Sequence, residues 1–480
     1  MSTHLWGHQS ECIRRAHNQD HFALLLDTGT GKTRIAIEIL RRKYHKEGRL
    51  LRTLILAPIV VCENWKREFK LYSKVQPTDI VVLTQDGKKR QKEFIRWAGD
   101  DLSRSKIFVT NYHATQMKDL FELMMRYKFE VIVADESQRV KNHVGKMAIA
   151  VSQLADMAKY RYILTGTPIL NSPMDLFMQF RVLDSGETFG KNFYGFRAAY
   201  CEDKNSKRLG TQGYFPKWEV RSNMYPVIQE KIASKSMRVM KSECMDLPPF
   251  LRQVINVELS SEQKRMYSEM LKEYIAFLDE VENSATARVI TAQIAATKAL
   301  RLMQIVSGYA SVADSGDEIA LKDVPRLKAL GEILEDLTPG HKVIVWACFK
   351  QNYKMIAGLC DKLKIKYTTL TGEDSAKDKI DNMDSFRKDP EIRIIIANQA
   401  AGGVGVTLVE ASYAIYYSKG FSLEADLQSE ARCYRGGSEI HEKITRIDLV
   451  ATDTIDELVN EALAAKQNIA EQILNWKNKL

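Results

Sequence analysis

The stretch Leu25-Leu26-Asp27-Thr28-Gly29-Thr30-Gly31-Lys32-Thr33 decides the fold. It closes an apolar run, FALLL (22–26), and opens a helical pattern in which Ile35, Ile39 and Leu40 share one face. A glycine-rich turn between a buried strand and a helix wraps backbone N–H groups round a phosphate chain, and the helix N-terminus favours its negative charge. Gly29, Thr30 and Gly31 supply the wrap, Lys32 reaches the outer phosphates, and the Thr33 hydroxyl suits Mg2+. The strict pattern begins with Gly where this chain has Leu26, which leaves the Gly-x-Gly-Lys-Thr core intact. The ligand implied is ATP or GTP.

Outward from this turn, short β-branched runs alternate with helical stretches: TLILA (53–57), IVVL (80–83), IFVT (107–110), VIVA (131–134) and RYIL (161–164). That rhythm predicts a parallel sheet covered by helices on both faces. It returns with VIVWA (343–347), YTTL (367–370), RIIIA (393–397), YAIYY (413–417) and ITRIDLV (444–450). The expected architecture is α/β: two RecA-like, doubly wound parallel-sheet lobes, at 1–185 and 321–480. A helical insertion and interlobe connection is expected between them, at 186–320.

Composition narrows the class. At 480 residues the chain suits two large domains, and 45% hydrophobic with 27% charged residues is globular. A net charge of +9 favours a phosphate-rich partner only where the excess gathers on one surface. Seven scattered cysteines without a CxxC pair indicate neither a disulfide framework nor a common zinc module, and fit a reducing cytoplasm. His4, His8, Cys12, His17 and His21 fall at helix-compatible spacings but lack a second ligand cluster, so they read as ordinary helix and loop residues. No signal peptide or membrane span is expected, and no membrane partner.

Two further constellations carry chemistry. Asp135-Glu136-Ser137-Gln138 follows the run VIVA, so in a doubly wound sheet its carboxylates lie at the same sheet edge as the phosphate loop. Asp135 suits Mg2+, and Glu136 suits orienting, or taking a proton from, an attacking water. In Gln428-Ser429-Glu430-Ala431-Arg432-Cys433-Tyr434-Arg435, the spacing puts Arg432 and Arg435 on one expected helix face, where both would stabilise charge on a γ-phosphate. A solvated basic face is the alternative.

Taken in order, these motifs resemble helicase superfamily 2, and within it the SWI/SNF-related branch. His8-Gln9 resembles the adenine-reading element, LILAPIVVCENWKREF (54–69) motif Ia, DESQRVKN (135–142) the DExH box and LTGTPILNS (164–172) motif III. MRVMKSECMDLPP (237–249) and LRLMQIVSG (300–308) resemble later segments of the branch; ANQAAGGVGVTLVEAS (397–412) is similar to motif V and QSEARCYRGGS (428–438) to motif VI. The resemblance implies adenine contact at Gln9, ATP and Mg2+ contacts at Lys32, Thr33, Asp135 and Glu136, and nucleotide contacts at Gly405 and Gln428. It also implies interlobe coupling through Thr165 and Thr167, arginine fingers at Arg432 and Arg435, and DNA-backbone contacts at Pro58, Thr110, Asn111 and Thr407. Gly436-Gly437-Ser438 and Gly420-Phe421-Ser422 depart from the branch's usual pattern, which bears on lobe closure.

The expected function is therefore an ATP-dependent DNA helicase or translocase acting on branched, forked or duplex DNA with little sequence specificity. Translocation without strand separation, a nucleotide-gated DNA clamp and the motor of a defence or restriction complex remain as alternatives. The basic stretch GKKRQKEFIRW (87–97) reads equally as a DNA track or as a solvated amphipathic helix.

Overall fold

The computed structural model describes residues 4–206, 216–282, 288–311, 318–399 and 407–474. Two compact units emerge. The first comprises the chain up to Asp203, Trp218–Met245 and the stretch from Lys466; the second is mainly Asp246–Ala465.

The first unit is built on β1 (His21–Leu26), β2 (Thr53–Leu56), β3 (Ile80–Leu83), β4 (Ile107–Thr110), β5 (Val131–Asp135) and β6 (Tyr160–Thr165). A short antiparallel pair, β7 (Cys201–Asp203) and β8 (Trp218–Val220), follows, and then β9 (Ser236–Val239). The seven-stranded sheet runs β3-β4-β2-β5-β6-β1-β9, with every pair parallel. Its strands are buried along nearly their whole length, as continuous β-branched runs require when helices cover both faces. Phe94 stacks on Phe108 at 4.6 Å, and Tyr127 and Phe129 pack edge-on around that pair. The order sets β1, β6 and β5 side by side, so the loops after them share one edge.

The second unit carries β10 (Phe250–Val257), the antiparallel pair β11 (Tyr309–Ser311) and β12 (Glu318–Ala320), and then β13 (Val343–Ala347), β14 (Tyr367–Leu370), β15 (Ile394–Asn398), β16 (Tyr413–Tyr416) and β17 (Ile444–Ala451). Its sheet is β10-β17-β16-β13-β15-β14, again wholly parallel.

Two parallel-sheet α/β lobes are thus present, but the expected insertion at 186–320 is not a separate body. Helices Ser261–Glu282 and Arg288–Ser307 form there as expected. Its flanks, however, are sheet: β9 pairs with β1 from Ala23 to Leu26, and β10 pairs with β17 along all eight residues. Backbone hydrogen bonding therefore divides the stretch between the units, and the second lobe begins near Phe250 rather than at 321. Among the described residues no helix is long and apolar enough to cross a membrane.

Candidate nucleotide site

The phosphate loop turns on two left-handed glycines, Gly29 (φ 92°) and Gly31 (φ 87°). Helix Lys32–Glu47 starts directly after Gly31. Gly31 is required by its left-handed backbone, and a Cβ there would also fall 2.3 Å from Gln9 Nε2 and push that side chain aside. Gln9 is buried; its Nε2 donates to the Thr30 carbonyl at 3.3 Å and its Oε1 accepts the Trp6 backbone N–H at 3.1 Å. His8 Nε2 meets the same Thr30 carbonyl at 2.8 Å. The adenine-reading candidates therefore touch the loop itself. Lys32 Nζ donates to the carbonyls of Leu26 (2.8 Å) and Asp27 (3.3 Å), and the Asp27 carboxylate accepts the Lys241 N–H at 3.1 Å. Thr33 is half-buried at the start of the helix.

Asp135 ends β5 in a buried setting. Its carboxylate accepts from Trp65 Nε1 and from the Glu136 N–H, both at 3.0 Å. Burial, and then the neighbouring Glu136, push its pKa up to about 7, against the pull of Lys32. A hydroxyl and a carboxylate are the hard-oxygen donor types that Mg2+ takes, so the chemistry of Thr33 and Asp135 suits the ion.

Glu136 adopts a left-handed backbone (φ 52°), unusual outside glycine and asparagine and frequent at functional sites. From it a hydrogen-bonded chain crosses to motif III. Gln138 Nε2 donates to Glu136 Oε2 (2.9 Å), Thr165 Oγ1 donates to Gln138 Oε1 (2.6 Å), and the Thr167 N–H donates to Thr165 Oγ1 (3.0 Å). A parallel brace runs from the Ser137 hydroxyl to Gln179 Oε1 (2.8 Å) and from Gln179 Nε2 to the Pro168 carbonyl (2.6 Å). Gln138 and Gln179 escaped the sequence reading as functional residues. The first stood inside the quoted carboxylate box, whereas nothing local marks the second.

In the second unit, motifs V and VI are joined by the Leu408 N–H donating to the Arg432 carbonyl (2.9 Å) and by Gln399 Nε2 donating to Ser429 Oγ (3.3 Å). The expected single helix face for Arg432 and Arg435 is not formed. Helix Leu423–Glu430 stops before both, because Ser429 and Glu430 are drawn into contacts with β16 and β17, and Gly436-Gly437 follow with Gly437 left-handed (φ 103°). Arg432 is buried, whereas Arg435 is half-buried and desolvation lowers its pKa, with no carboxylate among the described residues to offset it. Gln428 lies on that helix and donates to Glu424 Oε1 at 3.2 Å. Gly405 lies outside the described residues.

Of the DNA-contact candidates, Pro58 and Thr110 are buried, and the Thr110 hydroxyl donates to the Leu83 carbonyl at 2.6 Å. Both side chains are thus turned into the first unit, and a contact from either position would come through its backbone. Asn111 is half-buried; its Oδ1 accepts from Arg90 at 2.8 Å, leaving the amide N–H groups as donors. Thr407 is half-buried, with its carbonyl held by Arg387 at 2.6 Å. Helix Gly87–Ala98 turns Arg90, Phe94 and Ala98 inward and keeps Lys88, Lys89, Lys92 and Arg96 exposed. The histidine-rich start forms no metal cluster among the described residues.

Two parallel sheets, a phosphate loop and an acidic box at one sheet edge define the class: a RecA-like nucleoside-triphosphatase of helicase superfamily 2. The chain belongs within it to the SNF2-related family, whose domain model matches residues 9–305, while the helicase conserved C-terminal domain matches 325–437. It is 24% identical to the CHD3-type chromatin-remodeling factor PICKLE of Arabidopsis thaliana, over 96% of this chain and 33% of that protein. It is 25% identical to the human DNA annealing helicase and endonuclease ZRANB3, over 94% and 39%. An ATP-dependent helicase of Mycoplasma genitalium matches at 24%, over 97% and 42%. The chain thus spans between a third and under half of these relatives. Among solved structures, the Sulfolobus solfataricus SWI2/SNF2 ATPase core in complex with dsDNA aligns over 98% of this chain and 93% of that one, with 23% identity and a TM-score of 0.44.

Proposed function

We propose that this chain is a DNA-dependent ATPase that couples hydrolysis to travel along the DNA backbone and remodels or unwinds branched or forked DNA. The observation that carries the reading is the hydrogen-bonded path Glu136–Gln138–Thr165–Thr167. It ties the residue assigned to the attacking water to the loop assigned to coupling, so a change of charge at Glu136 reaches motif III without leaving the buried network.

The roles follow from the residues. Gly29, Gly31 and Lys32 bind the phosphates, and Glu136 orients the attacking water and accepts its proton. Thr33 and Asp135 would hold Mg2+, which would supply charge neutralisation at the outer phosphates. Arg435, a desolvated guanidinium without a carboxylate partner among the described residues, is assigned to stabilise charge on the transferring phosphoryl group, with Arg432 beside it in sequence. Asn111, Thr407 and the exposed cations of helix Gly87–Ala98 are assigned to the DNA backbone, which accounts for low sequence specificity.

A triplex-displacement assay with ATP tests travel directly, alongside ATPase rates on single-stranded, duplex, forked and four-way DNA with RNA as control. Displacement, with strongest stimulation by forked or four-way DNA, is expected. DNA-stimulated hydrolysis without displacement would sink the motor reading in favour of a clamp. Lys32→Ala is expected to abolish hydrolysis while sparing basal DNA binding.

A further inference from the structure

Helix Phe193–Tyr200, in the first unit, is divided between a packed side and an open one. Its start is fixed by Asn192, whose Oδ1 accepts the N–H groups of Tyr194 (2.7 Å) and Gly195 (3.3 Å). Phe196 is buried, and Phe193 packs edge-on against Phe177 at 5.4 Å. Tyr194 and Arg197, three residues apart and so neighbours on one face, do the opposite: Tyr194 is 60% exposed and Arg197 is half-buried.

The open side is built of π-surfaces and cations. The Arg197 guanidinium lies 5.1 Å from the centre of the Tyr194 ring and 4.2 Å from that of Trp218, which β8 brings up. His143, in the turn before helix Lys146–Asp156, stacks on Phe193 at 3.5 Å and 14° and meets Tyr194 edge-on at 6.2 Å. Burial first, and then the Arg197 charge, hold the His143 pKa below its ordinary value, so this ring is neutral near pH 7. The two stretches that supply most of the patch, 139–147 and 188–201, carry Arg139, Lys141, Lys146, Lys191 and Arg197 and no Asp or Glu. Lys217 and Glu219, on either side of Trp218, cancel.

We propose that Tyr194, braced by Arg197 and His143, is a stacking site for unpaired bases of a DNA strand. Exposed aromatic rings among cations, with no carboxylate in the stretches that carry them, meet both halves of such a strand: the rings take base faces and the cations take phosphates. In a duplex the base faces are already covered by one another, so the ring contributes only where the strands have parted. The proposal rests on the reading of forked DNA as the substrate, and gives the opened strand a place on the first unit.

The experiment separates bases from phosphates. Binding of the full chain is followed by fluorescence anisotropy with three end-labelled probes: oligo-dT, a strand of the same length made of abasic sites, and a blunt duplex. Tyr194→Ala should weaken oligo-dT binding about tenfold, and Tyr194→Phe, which keeps the ring, should stay within about twofold of wild type. Affinities for the abasic strand and the duplex, carried by phosphates, should move by less than about twofold in either variant. Oligo-dT binding by Tyr194→Ala within about twofold of wild type overturns the proposal and leaves the patch to a protein partner or a second copy of the chain. An equal loss on oligo-dT and the abasic strand also overturns it, because it would mark a lost phosphate contact or a displaced helix. The motor reading is decided separately, by triplex displacement with the wild type: displacement alongside unchanged oligo-dT binding by Tyr194→Ala would sink the stacking site alone, whereas a wild type that binds none of the three probes would remove the DNA reading and the site with it.

Discussion

His21 opens β1 with its ring against a guanidinium: Arg161 Nη2 donates to His21 Nε2 at 2.6 Å. Burial first, and then the Arg161 charge, hold the His21 pKa below its ordinary value, with Glu187 and Asp184 pulling the other way. The folded state therefore binds this proton less readily than the unfolded chain does. Stability from this residue is present above about pH 6.5, the ordinary histidine value, and is lost as pH falls below it. Melting of the first unit followed from about pH 7.5 to about 5.5 should show that loss, and His21→Gln, which keeps an acceptor for Arg161, should flatten it. Parallel wild-type and variant profiles would assign the loss elsewhere. At Arg435 the expectation concerns rate. Arg435→Ala should lower kcat by about 10³ or more if the residue is a finger, and Arg435→Lys should recover little, because an ammonium lacks the planar fork. A loss under about tenfold would mark a structural role. Residues of this kind were legible where a motif has fixed backbone geometry, as at Gly29 and Gly31. The burial of Pro58 and Thr110 was not, because a short Thr or Pro turn looks alike in sequence whether its side chain faces solvent or, like Thr110, bonds a neighbouring strand.

The segment that carries motif VI is shaped by a charge the strand pattern concealed. Arg446 in β17 is 3% exposed, and its guanidinium lies 3.9 Å from the centre of the Tyr416 ring. It donates to Asp426 (2.8 and 3.1 Å), Asp448 (3.0 and 3.1 Å) and Glu430 (3.2 Å). Lys419 and Arg252 balance the remaining charge on Asp448 and Glu430. This cluster fastens helix Leu423–Glu430 to the sheet and fixes where it stops, and hence where Arg432 and Arg435 emerge. Arg446→Met should cost about 3–5 kcal/mol in denaturant unfolding, since it strands the buried Asp426 and leaves Asp448 and Glu430 with only Lys419 and Arg252. Replacing Asp426 by Asn in the Arg446→Met background should recover part of that loss. A loss below about 1 kcal/mol would show that the carboxylates find water instead. ITRIDLV reads as a strand from its β-branched residues alone, and it is one; the buried arginine within it leaves no mark on that reading. β9 and β10 went unread for a related reason. A single sheet neighbour holds each of them at an edge, and β10 exposes Arg252, Gln253 and Val254, so neither shows the uniform apolar run that betrays a central strand.

At the scale of the whole chain, the return of the α/β rhythm after residue 325 was enough to read two lobes. The boundary was not readable, because sheet hydrogen bonding rather than composition divides 186–320. Each unit completes its own sheet and buries its own apolar clusters, the first around Phe94, Phe108 and Tyr127 and the second around Val345, Ile396 and Ile415. Such units should unfold in separate steps. The phosphate loop, Asp135 and Glu136 all lie in the first, so a non-hydrolysable ATP analogue with Mg2+ should raise one calorimetric transition and leave the other in place. Linkage gives the size: about 2.7 kcal/mol at ligand a hundredfold above Kd. Fluorescence identifies which transition moves. Trp65 donates to Asp135 in the first unit, whereas Trp346 is buried in the sheet of the second. In a Trp346→Phe variant the nucleotide-shifted transition should remain visible by tryptophan emission while the unshifted one fades, and Lys32→Ala should remove the shift altogether. If instead both transitions rise together, or only one is seen, the chain unfolds as one cooperative block, and nucleotide bound at the first sheet stabilises the second as strongly as its own.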